Sequence, residues 1–166
     1  GWETEIGDLN VDRAYGAGSG TANDEGILFG GNDGTNNIAI TESYNGSSWA
    51  EVGDLNQART KLVGVGTSTS ALGIGGFLDT GGSPEYFNGT EVWNGTAWTE
   101  VNNLNTGRYA LGGAGADSTS AIAYGGSTGS LQVVTEKWNG TAWTEVADMA
   151  TARAAAGSSG IITAAL

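Results

Sequence analysis

Carboxylates are the only side chains this chain offers for acid–base chemistry near neutral pH, because it contains no histidine and no cysteine. The reaction that a pair of carboxylates can run alone is glycoside hydrolysis, with one acid and one base or nucleophile. The acidic candidates form two rows, Glu42/Glu91/Glu136 and Glu51/Glu100/Glu145. Each row recurs at one place in a repeated block. A catalytic pair should break a repeat and these follow it, so both rows are expected to be structural. Asp24 and Glu25 lie off the pattern and read as a solvated turn. The run from Asn32 to Asn37 carries oxygen ligands but a single carboxylate, Asp33, and matches no calcium loop. Without His or Cys there is no Ser-His-Asp triad and no zinc or copper site of the usual ligands. The Gly-Gly pairs lack the following helix and lysine of a phosphate loop. The expectation is a chain with no catalytic residue, no metal and no cofactor.

The elements that must position these residues are repeats. Trp2, Trp49, Trp98 and Trp143 stand 47, 49 and 45 residues apart. An inner aromatic precedes each of the last three by five residues: Tyr44, Trp93 and Trp138. Between inner and outer aromatic lies Asn-Gly, at 45–46, 94–95 and 139–140, the strongest short-range hairpin signal. A hydrophobic residue and then an arginine follow each block: Leu9/Arg13, Leu55/Arg59, Leu104/Arg108 and Met149/Arg153. Next come a Gly/Ala-rich stretch and an apolar stretch ending in Gly30-Gly31, Gly75-Gly76 or Gly125-Gly126. Each block therefore divides into four short strands. A period in the high forties points to an all-β propeller of four-stranded antiparallel blades. The blades are placed at roughly 13–52, 59–101 and 108–146, with a fourth strand at 2–6 and a partial blade at 153–166. Gly and Ala in the first strand would let it lie close to the central axis. The paired aromatics would supply apolar area between blades, and the recurrent Arg and Glu are long enough to cross between blades and pair.

These landmarks resemble the kelch family of β-propellers. Its mark is a Gly-Gly pair, an aromatic, a tryptophan a few residues on, and an arginine opening the next repeat. Here those are Gly30-Gly31/Tyr44/Trp49/Arg59, Gly75-Gly76/Trp93/Trp98/Arg108 and Gly125-Gly126/Trp138/Trp143/Arg153. The resemblance spans nearly the whole chain. It departs in the Asn-Gly-Thr/Ser turn and in Trp as the inner aromatic of two copies. It implies a propeller of the galactose-oxidase-like type. The copper chemistry of that type needs His and Cys ligands, which are missing. WD repeats fit less well, with no Trp-Asp and no Gly-His, and the sialidase Asp box fails because the stretch from Asn94 to Trp98 lacks its aspartate.

The charge bounds the partners. Six Lys plus Arg against 18 Asp plus Glu, a net −12, disfavours nucleic acid and anionic membrane surfaces. No run of 18 apolar residues exists, so no membrane-inserting helix is expected. Four Asn-Gly-Ser/Thr sequons occur, at Asn45, Asn88, Asn94 and Asn139, and turn chemistry accounts for the three periodic ones. From Trp2 to Leu166 the block pattern predicts fifteen strands, with a third strand lacking from the last set. The chain is therefore expected to be part of a larger propeller whose remainder lies elsewhere, or to associate as a homo-oligomer or close as four blades with one defective.

One segment breaks the repeat. From Phe77 to Asn88 the second complete block carries about five extra residues, three aromatics and the only proline. Loops on a rigid scaffold carry function. The expected contact surface is therefore the loops at 32–37, 79–87 and 127–130, with Asn32, Asp33, Asn36, Asp79, Ser83, Glu85, Tyr86, Phe87, Ser127 and Thr128 as binding candidates. The alternative for the aromatics is packing against a blade edge. Composition (30 glycines, no cysteine, few lysines) and near-identical blocks suggest a non-catalytic binding or structural module of an extracellular or virion assembly. A phage tail, fibre or surface-decoration protein would be of this kind, contacting protein or glycan. The other reading is an intracellular, cytoplasmic kelch-type adaptor.

Overall fold

The structure is a computed structural model that describes residues 7–79, 81 and 85–156. Trp2, Ser83, the strand expected at 2–6 and most of the partial blade expected at 153–166 lie outside the described residues.

Among the described residues, twelve strands form three four-stranded antiparallel sheets, each in sequence order. The first holds β1 (Ala17–Ala22), β2 (Glu25–Phe29), β3 (Thr41–Tyr44) and β4 (Trp49–Glu51). The second holds β5 (Val63–Gly66), β6 (Ala71–Leu78), β7 (Glu85–Trp93) and β8 (Trp98–Val101). The third holds β9 (Gly112–Asp117), β10 (Ser120–Tyr124), β11 (Thr135–Trp138) and β12 (Trp143–Glu145). Among the described residues there is no helix, and none long and apolar enough to cross a membrane.

The turns follow from their residues. In each β3–β4-type hairpin the Asn side chain accepts two backbone N–H bonds, as Asn94 Oδ1 does from Thr96 and Ala97 at 2.9 Å. The following glycine has φ near +90° in all three, a conformation that costs other residues a Cβ clash.

The sheets stack through their first strands, β1 against β5 and β5 against β9. Gly64 shows why this strand is poor in side chains. A Cβ there would lie 2.5 Å from the Gly18 carbonyl oxygen of the neighbouring sheet and 2.8 Å from the Phe29 ring. The core divides at these junctions. One cluster joins Ile27 and Phe29 of the first sheet, through Leu55 of the connection, to Trp93 and Trp98 of the second. The other joins Val63, Leu72 and Ile74 to Leu104, Trp138 and Trp143. The outer tryptophans thus bury apolar area between sheets, as their spacing suggested. Each also donates its indole N–H to a threonine of the preceding sheet: Trp98 to Thr41 at 2.9 Å and Trp143 to Thr90 at 3.0 Å. Trp49, with no preceding sheet among the described residues, is only half-buried. The inner aromatics tilt against the outer ones at 5.1–5.4 Å.

The break in the repeat is not the loop that its composition suggested. The segment after Gly75-Gly76 extends the hairpin, pairing Gly76 with Phe87, Phe77 with Tyr86 and Leu78 with Glu85. Glu85, Tyr86 and Phe87 are therefore strand residues. Consecutive aromatics favour a pleated, half-buried surface over an open turn, and the longer hairpin takes up extra residues beyond a register shift between Ile74 and Gly76.

Candidate functional site

The first acidic row is buried in ion pairs. Glu42, Glu91 and Glu136 each pair with the arginine that opens the same block: Arg13–Glu42 at 2.5 Å, and Arg59–Glu91 and Arg108–Glu136 at 2.6 Å. The side chains are at most 1 % exposed. The pairs do not cross between blocks. The arginine sits on the segment entering a sheet, so its shortest reach is to the third strand of that sheet. The second carboxylate oxygen takes two bonds from an asparagine three residues before the arginine. For Glu91 these are the N–H and Nδ2 of Asn56, at 2.7 and 2.8 Å, and Asn10 and Asn105 repeat the arrangement. Asn10, Asn56 and Asn105 were missed in the sequence, although their fixed offset from Arg13, Arg59 and Arg108 was there to read.

The clamp sets the electrostatics. Burial works to raise the Glu42 carboxyl, but the Asn10 and Val11 hydrogen bonds and the Arg13 charge outweigh it and hold it below the usual range. For Arg59, burial wins and lowers the guanidinium against the opposing pull of Glu91. The second acidic row lies directly across the strand pair, Glu51 opposite Glu42, Glu100 opposite Glu91 and Glu145 opposite Glu136, and is exposed. Each pair of carboxylates thus has one member fully engaged by Arg and Asn. Arg153 occupies the opener position of a fourth block, is exposed, and has no carboxylate partner among the described residues.

The segments at 32–37 and 127–130 directly follow Gly30-Gly31 and Gly125-Gly126, and Asp79 follows β6, which runs on past Gly75-Gly76 at the same end of its sheet. That end is pinned by the glycine pairs. Gly31, Gly76 and Gly126 donate to the carbonyl oxygens of Arg59, Arg108 and Arg153, at 2.9, 3.0 and 2.8 Å. Asn32 and Asp33 close the first loop on itself. Asn32 Oδ1 accepts from Gly34, and Asp33 Oδ1 accepts from Thr35 and Asn36, at 2.7–2.9 Å. Those backbone N–H groups, Asn36 first, lower the exposed Asp33 carboxyl. Asn36 and Asp79, from loops of adjacent blocks, line one cleft of about 310 Å³ together with Gln57 and Leu78.

The other candidates are more enclosed. Phe87 lies under the Arg59 guanidinium, 5.1 Å from it, and Tyr86 stacks on Tyr109 at 5.7 Å. A Cβ at Gly129 would come within 2.7 Å of the Tyr86 hydroxyl oxygen, so Tyr86 covers the 127–130 loop. Ser127 is buried in a backbone bridge to Tyr109, and Thr128 accepts a bond from Gln132 at 2.8 Å. Glu85 is exposed at the start of β7. The structure thus joins Asn36 to Asp79, and Tyr86 to the loop holding Ser127 and Thr128. It adds Tyr15, Lys61 and Tyr109, which the sequence reading did not single out, and Phe77, which it named only within the 77–88 segment. Among the described residues no group of three or more potential metal-binding side chains comes together.

Compared with known proteins, the chain matches no family model and no curated protein sequence.

Proposed function

We propose that the three sheets are blades of a kelch-type β-propeller, and that the chain is a non-catalytic binding or structural module. It contacts a protein or glycan partner through the Gly-Gly end of the blades. The observation that carries this is a contrast in the use of polar groups. The recurrent acids Glu42, Glu91 and Glu136 are consumed by buried clamps, while the polar side chains of Asn36 and Asp79 meet around an open cleft at one end. The stacked first strands and the indole–threonine bonds repeated at each junction support the propeller reading. The acidic, cysteine-free, lysine-poor composition supports placement in an extracellular or virion assembly of the tail, fibre or surface-decoration kind.

The test is adhesion of the purified chain to immobilised glycans and to host cell envelopes. Asn36→Ala and Asp79→Ala together should abolish adhesion without changing the melting temperature. Adhesion that survives both substitutions would refute contact through this end.

A further inference from the structure

Where the openers of the blocks converge, four equivalent positions are held by four unequal residues. Tyr15, Lys61, Ala110 and Ala155 each stand two places after a block arginine, and each has φ between 52° and 58°. They are strung together by backbone bonds, Lys61 N–H to Tyr15 O, Ala110 N–H to Lys61 O and Ala155 N–H to Ala110 O, at 2.7–2.9 Å. All four line one cavity of about 310 Å³. The backbone here is a repeat and the side chains are not.

Lys61 is the cation of this cavity. Its ammonium lies 5.4 Å from the ring centroids of both Tyr15 and Tyr109, and 5.7 Å from that of Phe77. Phe77 meets Tyr109 edge-on at 5.6 Å. The three clamp arginines spend their charge on buried glutamates, whereas Lys61 makes no ion pair among the described residues. The ring faces hold its ammonium by cation–π attraction. That fixes its direction and leaves less side-chain entropy to lose when an anion arrives. Tyr15 is 67 % exposed, the largest exposure among the large hydrophobic side chains described.

We propose that this cluster binds an acidic saccharide, with the sugar's C–H face stacked on Tyr15 and its carboxylate paired with Lys61. The inference rests on the contact-module reading and narrows it to a site and a ligand class. A net charge of −12 repels polyanions at a distance. Recognition must therefore come from short-range contact, which a flat ring and one pre-set cation provide together. An acidic peptide would use the cation and leave the exposed ring without a matching face.

Calorimetric titration with a galacturonate oligosaccharide, the matching neutral galactose oligosaccharide and a polyglutamate peptide tests it. The acidic sugar should bind, more weakly as salt rises. Lys61→Gln and Tyr15→Ala should each weaken it on the order of tenfold or more, with unchanged circular dichroism and melting temperature. Equal binding of polyglutamate would overturn the assignment, since charge alone would then suffice. Neutral sugar bound as tightly as the acidic one, and unaffected by Lys61→Gln, would overturn this site while leaving glycan contact standing. No binding of either sugar would also overturn it, and the Asn36/Asp79 adhesion experiment would then decide the broader reading separately.

Discussion

The clamp and the opener cavity are built from the same repeat and treat it in opposite ways. In the clamp, three blocks place Asn, Arg and Glu in one geometry, with ion-pair distances of 2.5, 2.6 and 2.6 Å and side chains shut off from solvent. In the cavity, three blocks and the start of a fourth share one backbone conformation but present Tyr, Lys, Ala and Ala. Buried charge tolerates little variation, because a lost partner leaves an uncompensated ion. An exposed side chain on a fixed backbone varies at little cost. The difference teaches where to look in a repeat protein: repetition marks the scaffold, and side chains that depart from it on a conserved backbone geometry mark the candidate contact.

The largest effect should come from breaking the clamp. Glu91→Ala orphans Arg59 and the Asn56 donors, and should cost about 3–5 kcal/mol in urea unfolding. Arg153→Ala, at the equivalent opener without a described partner, should stay within about 0.5 kcal/mol. Equal losses at the two sites would erase the comparison. Acid gives a second reading of the same clamp. The lowered Glu42 carboxyl contributes stability that is fully present above its ordinary value of 4.5 and is lost as pH falls through its depressed folded value. Glu42→Gln should flatten that part of the stability–pH curve.

Next in size is the stacking of first strands. Gly64→Val forces side-chain atoms against the Gly18 carbonyl oxygen and the Phe29 ring, and should cost about 1–3 kcal/mol by overpacking. A neutral result in thermal melts would mean that the sheets are not held this close. Trp98→Phe keeps an aromatic ring at the junction but removes the indole bond to the buried Thr41, at about 1 kcal/mol. Its counterpart Trp49→Phe, half-buried and with no such bond among the described residues, should cost less. The smallest stability effect belongs to the cavity, where Tyr15→Ala should change unfolding by no more than about 0.5 kcal/mol. A large loss there would show that the exposed ring belongs to the scaffold after all.

Much of the scaffold was legible in the residues. Asn-Gly turns, Gly-Gly pairs and paired aromatics marked the four-strand division of each block, because each reports a local backbone requirement, but they missed the early start of β7 at Glu85. The arginine–glutamate pairing could be suspected, but not its partners. Those depend on which strand the entering segment faces, and the pairs close within a block and not between blocks. The segment from Phe77 to Phe87 looked like a loop because Gly, Ser and Pro interrupt it. Its flanks pair as strand because aromatic side chains gain area on a sheet.

Sequence by itself determined the repeat, the strand order within each block, and the absence of His and Cys chemistry. All of these are properties of residue type and short-range spacing. Only the tertiary structure decided that Tyr15, Lys61, Phe77 and Tyr109 share one place. They come from three blocks and occupy three different positions of the repeat. What gathers them is the close stacking of Gly-rich first strands, which draws the block openers together around one cavity. No spacing along a chain encodes that approach; it is set by how little side chain lies between neighbouring sheets.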